Sequence, residues 1–310
     1  MKISFITTVY NEERTIGLLL ESLLTQSELP EEVIIVDAKS TDNTVQVLET
    51  FIAKFKKTKF HILSKKGNRS VGRNYAIKNA TGDVIVASDA GCILDKKWLG
   101  KISSPFKNRA TDVTAGFYRP VTSNVFEKSL AAYTCFPKEK LNDDFLPSSR
   151  SIGFRRSVWA KVGGYPEFLD TCEDLIYAKH LKDLKVNFVV VADAIVYWPQ
   201  RKNILSAFRQ FFLYARGDGM ARYFRPSIPF LYARYLFAIF AILLTGYYQN
   251  QVLNFFIVFF FFLYIFWAIL KNYKYVGNWL AILYLPLLQF TSDFAVLLGT
   301  SIGFIASFDR

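Results

Sequence analysis

Residues 84–92 read VIVASDAGC, a run of strand-forming residues that stops on one aspartate followed by two of the smallest side chains. A strand that is apolar on both faces lies inside a covered, mostly parallel sheet. In such sheets ligands bind beyond the carboxyl ends of the strands. Asp89 therefore stands where a buried strand meets a binding crevice, and Ala90 and Gly91 leave room for a ligand to come close to the backbone.

Upstream of this strand the chain alternates regularly. ISFITTV (3–9), EVIIVDA (32–38) and FHILS (60–64) read as strands; TIGLLLESLLTQ, STDNTVQVLETFIAKF and SVGRNYAIKNA read as the helices between them. This βαβ repetition predicts an α/β fold with a mostly parallel sheet and helices on both faces. Polar residues at the predicted strand ends are Thr8 and Tyr10, Asp37 and Asp89. Neither a Walker-type loop nor a G-x-G-x-x-G follows the first strand, so the usual phosphate and dinucleotide loops are excluded. Downstream the alternation is less regular. DVTAGFYRPV and SIGFRRSVW read as strands, CEDLIYAKHLKDL as a helix and KVNFVVVADAIVYW as a closing strand.

Composition divides the chain of 310 residues near residue 228. The whole is 52% hydrophobic with a net charge of +12, yet residues 235–270 hold no charged side chain and 279–308 hold only Asp293. Residues 1–228 are expected to form one cytosolic domain and 229–310 a membrane domain of two or three helices. About 20 apolar residues cross a bilayer as a helix; Phe230–Tyr248 and Val252–Leu270 fit, with YYQNQ (247–251) as the far-side turn and Lys271 and Lys274 returning to the cytosol. The stretch 279–308, interrupted by Pro286, Gln289 and Asp293, reads either as a third span or as an interfacial helix.

The segment just before the first span is basic and aromatic: Arg201, Lys202, Arg209, Arg216, Arg222 and Arg225 face Asp218 alone among the charges of 199–228. Such a juxtamembrane segment suits acidic lipid headgroups or phosphates. No nucleic-acid fold motif accompanies it, so nucleic acid is not an expected partner. Three cysteines, Cys92, Cys135 and Cys172, form no metal-ligand spacing and point to a reducing compartment. The amino-terminal MKISFITTVYNEE turns polar too early for a signal peptide.

Taken together, TTVYNEERTIGLLLESLL, VIIVDAKSTDNT, GRNYAIKNATGDVIVASDAGC and LPSSRSIGFRRSVWAKVGGYPEFLDTCEDLIYAKHL resemble, in order and spacing, the successive signatures of family 2 glycosyltransferases with a GT-A fold. The resemblance covers about residues 1–220. It implies a nucleotide diphosphate sugar as donor, with Thr8, Tyr10 and Glu12 around base and ribose, Asp37 accepting a hydrogen bond from the base and Arg73 reaching the nucleotide. Considered alone, Asp37 reads as a helix-approach cap and Arg73 as a solvated helix residue.

The family's D-x-D, whose acids hold a divalent metal against the diphosphate, is here Asp89-Ala90-Gly91. One ligand is missing, which Mg²⁺ or Mn²⁺ tolerates because such ions keep waters and use donor phosphates. Glu173-Asp174 matches the family's E-D pair, with Asp174 as general base; Thr171 followed by Asp174 is also a helix-capping pattern. Where polymerising members carry Q-x-x-R-W, this chain has Gln210 but Leu213 and Tyr214. That disfavours a processive synthase and leaves Arg201, Arg209, Gln210 and Arg216 to the diphosphate or acceptor.

The expectation is an inverting enzyme anchored in a bacterial-type inner membrane, acting on a lipid-linked or amphipathic acceptor. The rival is a non-catalytic subunit that only binds the nucleotide sugar. His61 and His180 receive no role.

Overall fold

In the computed structural model, which describes residues 1–142 and 144–309, the alternation expected from the sequence is realised. The elements run β1 (Ile3–Val9), α1 (Ile16–Leu24), β2 (Glu32–Asp37), α2 (Thr44–Ile52), β3 (Lys59–Ser64), α3 (Arg69–Asn79), β4 (Val84–Ala87), β5 (Ile93–Leu94) and α4 (Trp98–Ser103). Next come β6 (Val113–Val121), α5 (Val125–Thr134), β7 (Ile152–Arg155), α6 (Arg156–Val162), α7 (Glu173–Asp183), β8 (Phe188–Pro199), α8 (Ile204–Met220), α9 (Ile228–Tyr248), α10 (Gln251–Val276) and α11 (Ala281–Ala306).

The eight strands form one sheet in the order β3-β2-β1-β4-β7-β6-β8-β5. The first half is parallel, as β1 pairs with β2 and β4 and β2 pairs with β3. The second half is mixed: β7 runs antiparallel to β4 and β6, whereas β6 and β8 are parallel. Strand alternation sorts the apolar residues onto two faces. Phe5, Val33, Ile35, Val84 and Val86 meet Leu19, Leu20 and Leu23 of α1, Leu48 of α2 and Trp98 of α4. Ile6, Ile34, Val36, Ile85 and Ala87 meet Ala76 and Ile77 of α3, Val158 of α6 and Tyr177 of α7. Both faces are covered at the centre of the sheet, so β2 and β4 are buried along their whole length and read as near-continuous apolar runs.

One expected strand is half helix. SIGFRRSVW pairs as β7 only to Arg155, opposite Val84 where β4 begins, and the backbone turns helical at Arg156, whose N–H bonds to the Asp83 carbonyl. The ladder ends because its partner strand ends. β5, α4 and α5 were absent from the periodicity reading; β5 is held by two residue pairs with β8, too short to leave a period.

The chain divides into two compact units, one of residues 1–121 and 135–199, the other of 122–134 and 200–310. The second unit takes in α5 and the basic segment 200–228 together with the three apolar helices. In that unit Leu130 of α5, Ala207 and Phe211 of α8, and Leu288 and Ala295 of α11 share one apolar cluster. Burial of one face of α8 explains why its basic stretch reads as amphipathic. Three helices, Ile228–Tyr248, Gln251–Val276 and Ala281–Ala306, are long and apolar enough to cross a membrane. The third runs as one helix through Pro286, Gln289 and Asp293, with Gln289 bonded to Asp293 one turn on at 2.9 Å.

Candidate active site

Four elements of the first unit converge at the carboxyl end of β4. Asp89 follows that strand in a tight turn closed by the Cys92 N–H on the Asp89 carbonyl, 3.0 Å. Arg73 comes from α3, which packs tightly on β1 because Gly72 carries no side chain; a Cβ there would lie 2.6 Å from Thr8 Cγ2. Glu173 and Asp174 open α7, entered through Cys172 at φ +69°. Ser149 and Arg150 lie in the loop leading to β7.

Arg73 joins these elements. Its side chain is 4% exposed, one guanidinium nitrogen donates to Glu173 Oε1 at 2.6 Å, and another donates to Asp89 Oδ1 at 2.7 Å. The guanidinium also stands over the Tyr165 ring, 5.3 Å from its centre. A forked, planar cation is suited to hold two carboxylates at fixed separation. Arg73 is thus not the solvated helix residue; its guanidinium is engaged by two protein carboxylates. Arg150 approaches Asp89 from the other side, with Nε 3.9 Å from Oδ2 and its guanidinium stacked 4.0 Å from the centre of the Trp198 ring.

These charges set the protonation of the site. Burial pushes the Asp89 carboxyl up, but Arg73, and after it Arg150 and Arg69, outweigh burial and hold it below the usual range. Glu173 goes the other way: burial, with the neighbouring Asp174 charge adding to it, raises its carboxyl despite Arg73. Burial lifts the Cys92 thiol to about 12, helped by the Asp89 charge, so Cys92 stays a thiol. Asp174 is half-buried; its Oδ2 receives the Ser149 N–H at 3.4 Å and its Oδ1 receives the Leu175 N–H at 2.8 Å. The cap position of α7 is held by Cys172, not by Thr171.

The nucleotide-side residues sit where two loops are laced together after β1 and β2. The Asn11 N–H donates to Ser40 Oγ, the Thr41 N–H donates to Asn11 Oδ1, and the Glu12 N–H donates to Thr44 Oγ1, all within 2.9 Å. Glu12 also accepts from the Thr15 hydroxyl. Tyr10 is 58% exposed, a ring free to meet a planar ligand. Asp37 accepts from the Lys39 and Ser40 N–H groups at 3.0 and 3.2 Å, the turn-cap arrangement, with Lys39 at φ +70°. Each carboxylate oxygen has a second lone pair.

Arg201, Arg209, Gln210 and Arg216 belong to the second unit, where Arg201 Nε donates to Gln210 Oε1 at 3.2 Å. Sequence reasoning missed Arg150, Arg69, Ser149 and Tyr165. Arg150 was inside a quoted motif, but nothing in one sequence pairs it with an acid 61 positions earlier.

Among the described residues no three His, Cys, Asp or Glu side chains converge as a metal site. Asp89 is 32% exposed, with one oxygen taken by Arg73, and open space lies over Gly91, where a Cβ would meet nothing within 4 Å. These residues fit a divalent ion that brings most of its ligands from a diphosphate and water, and Asp89 is the one carboxylate they offer.

The sequence profile described as "Glycosyl transferase family 2" matches residues 4–160. TarS of Staphylococcus aureus, a poly(ribitol-phosphate) beta-N-acetylglucosaminyltransferase, is 25% identical over 207 residues, covering 65% of this chain and 36% of TarS. The glycosyltransferase AglE of Haloferax volcanii is 23% identical over 204 residues, covering 64% and 67%. Of solved structures, the 1–349 fragment of S. aureus TarS with UDP-GlcNAc matches with a TM-score of 0.51 at 22% identity over 69% of this chain and 66% of that one. The mannosyltransferase PcManGT of Pyrobaculum calidifontis, in complex with GDP-Man and Mn²⁺, matches with a TM-score of 0.57 at 18% identity over 71% and 63%. The chain spans about a third of the length of TarS.

The mixed sheet, helices on both faces and acids at the strand ends define a fold of the GT-A type. The chain belongs to glycosyltransferase family 2.

Proposed function

We propose that the protein transfers a sugar from a nucleotide diphosphate donor to the hydroxyl of a membrane-associated or lipid-linked acceptor, with inversion at the anomeric carbon. The observation that carries this reading is the Arg73 bridge, which holds Asp89 and Glu173 around one guanidinium and so sets Asp174 beside the donor end of the sheet. The base and ribose lie against Tyr10, Thr8 and Glu12, with Asp37 accepting from the base. The diphosphate lies beyond Asp89, where Arg150 and the exposed Arg69 supply positive charge as it departs. A divalent ion, Mg²⁺ or Mn²⁺, held by Asp89 and the donor, would add to that neutralisation.

Asp174 takes the proton of the acceptor hydroxyl while its oxygen bonds to the anomeric carbon and the bond to the diphosphate breaks. One in-line displacement inverts the centre, and the proton passes from Asp174 to water. Glu173 stays with Arg73 and positions the site. UDP is the first nucleotide to try, since TarS was solved with UDP-GlcNAc; GDP is the second, from PcManGT with GDP-Man.

The test is release of nucleotide from a panel of UDP- and GDP-sugars by the full chain in detergent, with Asp174→Asn as comparison. Turnover should fall by roughly 10²- to 10⁴-fold while donor binding remains, because the amide keeps size but cannot take a proton. Wild type that binds nucleotide yet turns over no donor would leave a binding subunit instead. An Asn variant that melts early but keeps its rate per folded molecule would return Asp174 to a purely structural role.

A further inference from the structure

The 36 residues 235–270 carry no charge and form an apolar helical hairpin from α9 into α10; the first charged residues on either side of it are Arg234 and Lys271. A hairpin that goes out and returns brings its two ends to the same boundary. Arg234 lies six residues after the start of α9 and Lys271 five before the end of α10, so at 1.5 Å per residue both are about 8–9 Å inside their helix ends. A bilayer of about 40–45 Å with a 30 Å hydrocarbon core puts that depth near the border of headgroups and chains.

Neither cation simply extends outward. Arg234 donates to Asp293 Oδ2 of α11 at 3.0 Å, and the same carboxylate receives the Tyr235 hydroxyl at 2.9 Å, the Tyr264 hydroxyl, and the Gln289 amide on Oδ1 at 2.9 Å. Lys271 Nζ joins the chain through Gln289 Oε1 at 3.4 Å and lies 4.8 Å from the Trp267 ring centre. Asp293 is satisfied by four donors and neutralises one cation. The cluster retains one positive charge in excess, at a depth where long cationic side chains reach the headgroup layer. It also retains an unused donor, since Arg234 Nε is buried without a hydrogen-bond partner.

We infer that Arg234 and Lys271 form a site for one phosphate carried on a membrane lipid. The phosphate supplies the missing negative charge and the acceptors, while its chains lie along the apolar hairpin. The excess positive charge of the cluster disfavours a zwitterionic headgroup, whose own cation would meet it. Two lipids present this chemistry, a glycerophospholipid such as phosphatidylglycerol and a polyprenyl phosphate. The site does not depend on the transferase reading, because lipid binding alone reports on it.

The experiment is native mass spectrometry of the full chain in neutral detergent, titrated separately with phosphatidylcholine, phosphatidylglycerol and a long-chain polyprenyl phosphate. One phosphate lipid per chain should be retained at least tenfold more tightly than phosphatidylcholine, and the stronger of the two identifies the source. Lys271→Gln should weaken retention roughly tenfold, the weight of one charge-assisted contact. It leaves the four donors of Asp293 in place, so folding is preserved; Arg234→Gln should weaken it further. Lys274→Gln, on the same helix but outside the cluster, should change little. Equal retention of phosphatidylcholine, or a Lys271→Gln variant that binds like wild type, overturns the site and leaves the two cations as boundary anchors.

Discussion

Asp89 is the residue on which two kinds of charge control meet. Its carboxylate occupies Arg73 and Arg150 and, without a metal, would repel a diphosphate; in the proposed reading it would serve a divalent ion as its protein ligand. Asp89→Ala should therefore weaken UDP or GDP binding tenfold or more in Mg²⁺ or Mn²⁺. In chelator the same change should leave affinity equal or higher, since the two guanidiniums are released toward the phosphates. Calorimetric titration of wild type and variant in both conditions reads this directly, and equal wild-type affinity with and without metal would remove the ion from the site. Glu173 gives a pH prediction. Its carboxyl is raised in the folded protein, so its contribution is present below the usual carboxylate range and lost as pH rises through the raised value. Glu173→Gln mimics the protonated form and keeps an acceptor for Arg73. Its melting temperature should gain on wild type as pH increases from about 4 toward neutrality; a loss over that range would mean that Arg73 outweighs burial.

At the scale of elements, α8 and α11 are joined backbone to backbone. A Cβ on Gly303 would lie 2.1 Å from the Arg216 carbonyl oxygen, one on Gly299 2.4 Å from that of Phe212, and one on Gly219 2.5 Å from that of Thr300. Gly299 and Gly303 are spaced G-x-x-x-G, the spacing that lets apolar helices approach closely. Gly303→Ala should cost about 1–3 kcal/mol, since backbone cannot yield as a side-chain end can. Gly246→Ala in α9, where a Cβ meets nothing within 4 Å, should be neutral or slightly stabilising. Thermal melts of the two variants in one detergent compare them, and equal losses would show that the seam is looser than drawn.

For the whole molecule, charge predicts sidedness. Residues 1–228 carry a net +10 against +2 for the remainder, and positive segments near membrane spans stay on the cytosolic side. The active site should therefore face the cytosol, with Gln249 between α9 and α10 on the other face. A Gln249→Cys variant should react with an impermeant maleimide added outside intact cells, and a tag at Met1 should stay protected. The reverse pattern would remove the donor, which is a cytosolic metabolite class in the proposed reaction.

The parallel half of the sheet, its helices and the first two apolar helices were legible because each imposes a period or a length on the residues, whereas 279–308 stood open between a span and an interfacial helix. The positions of Asp89 at a strand end and of Glu173 and Asp174 at a helix start were legible from the pattern of elements, while their roles rest on the proposed reaction. The pairing of charges was not legible. Arg73 is 16 positions from Asp89 and 100 from Glu173, and Arg234 is 59 from Asp293; such distances leave no local pattern. The short β5, the helical turn at Arg156 and the attachment of α8 to α11 were likewise decided by where a partner strand ended or a neighbouring backbone ran. Sequence by itself determined what each segment is able to bury, and tertiary structure alone decided which buried charge answers which, because a charge in a low-dielectric interior is stable only beside its partner.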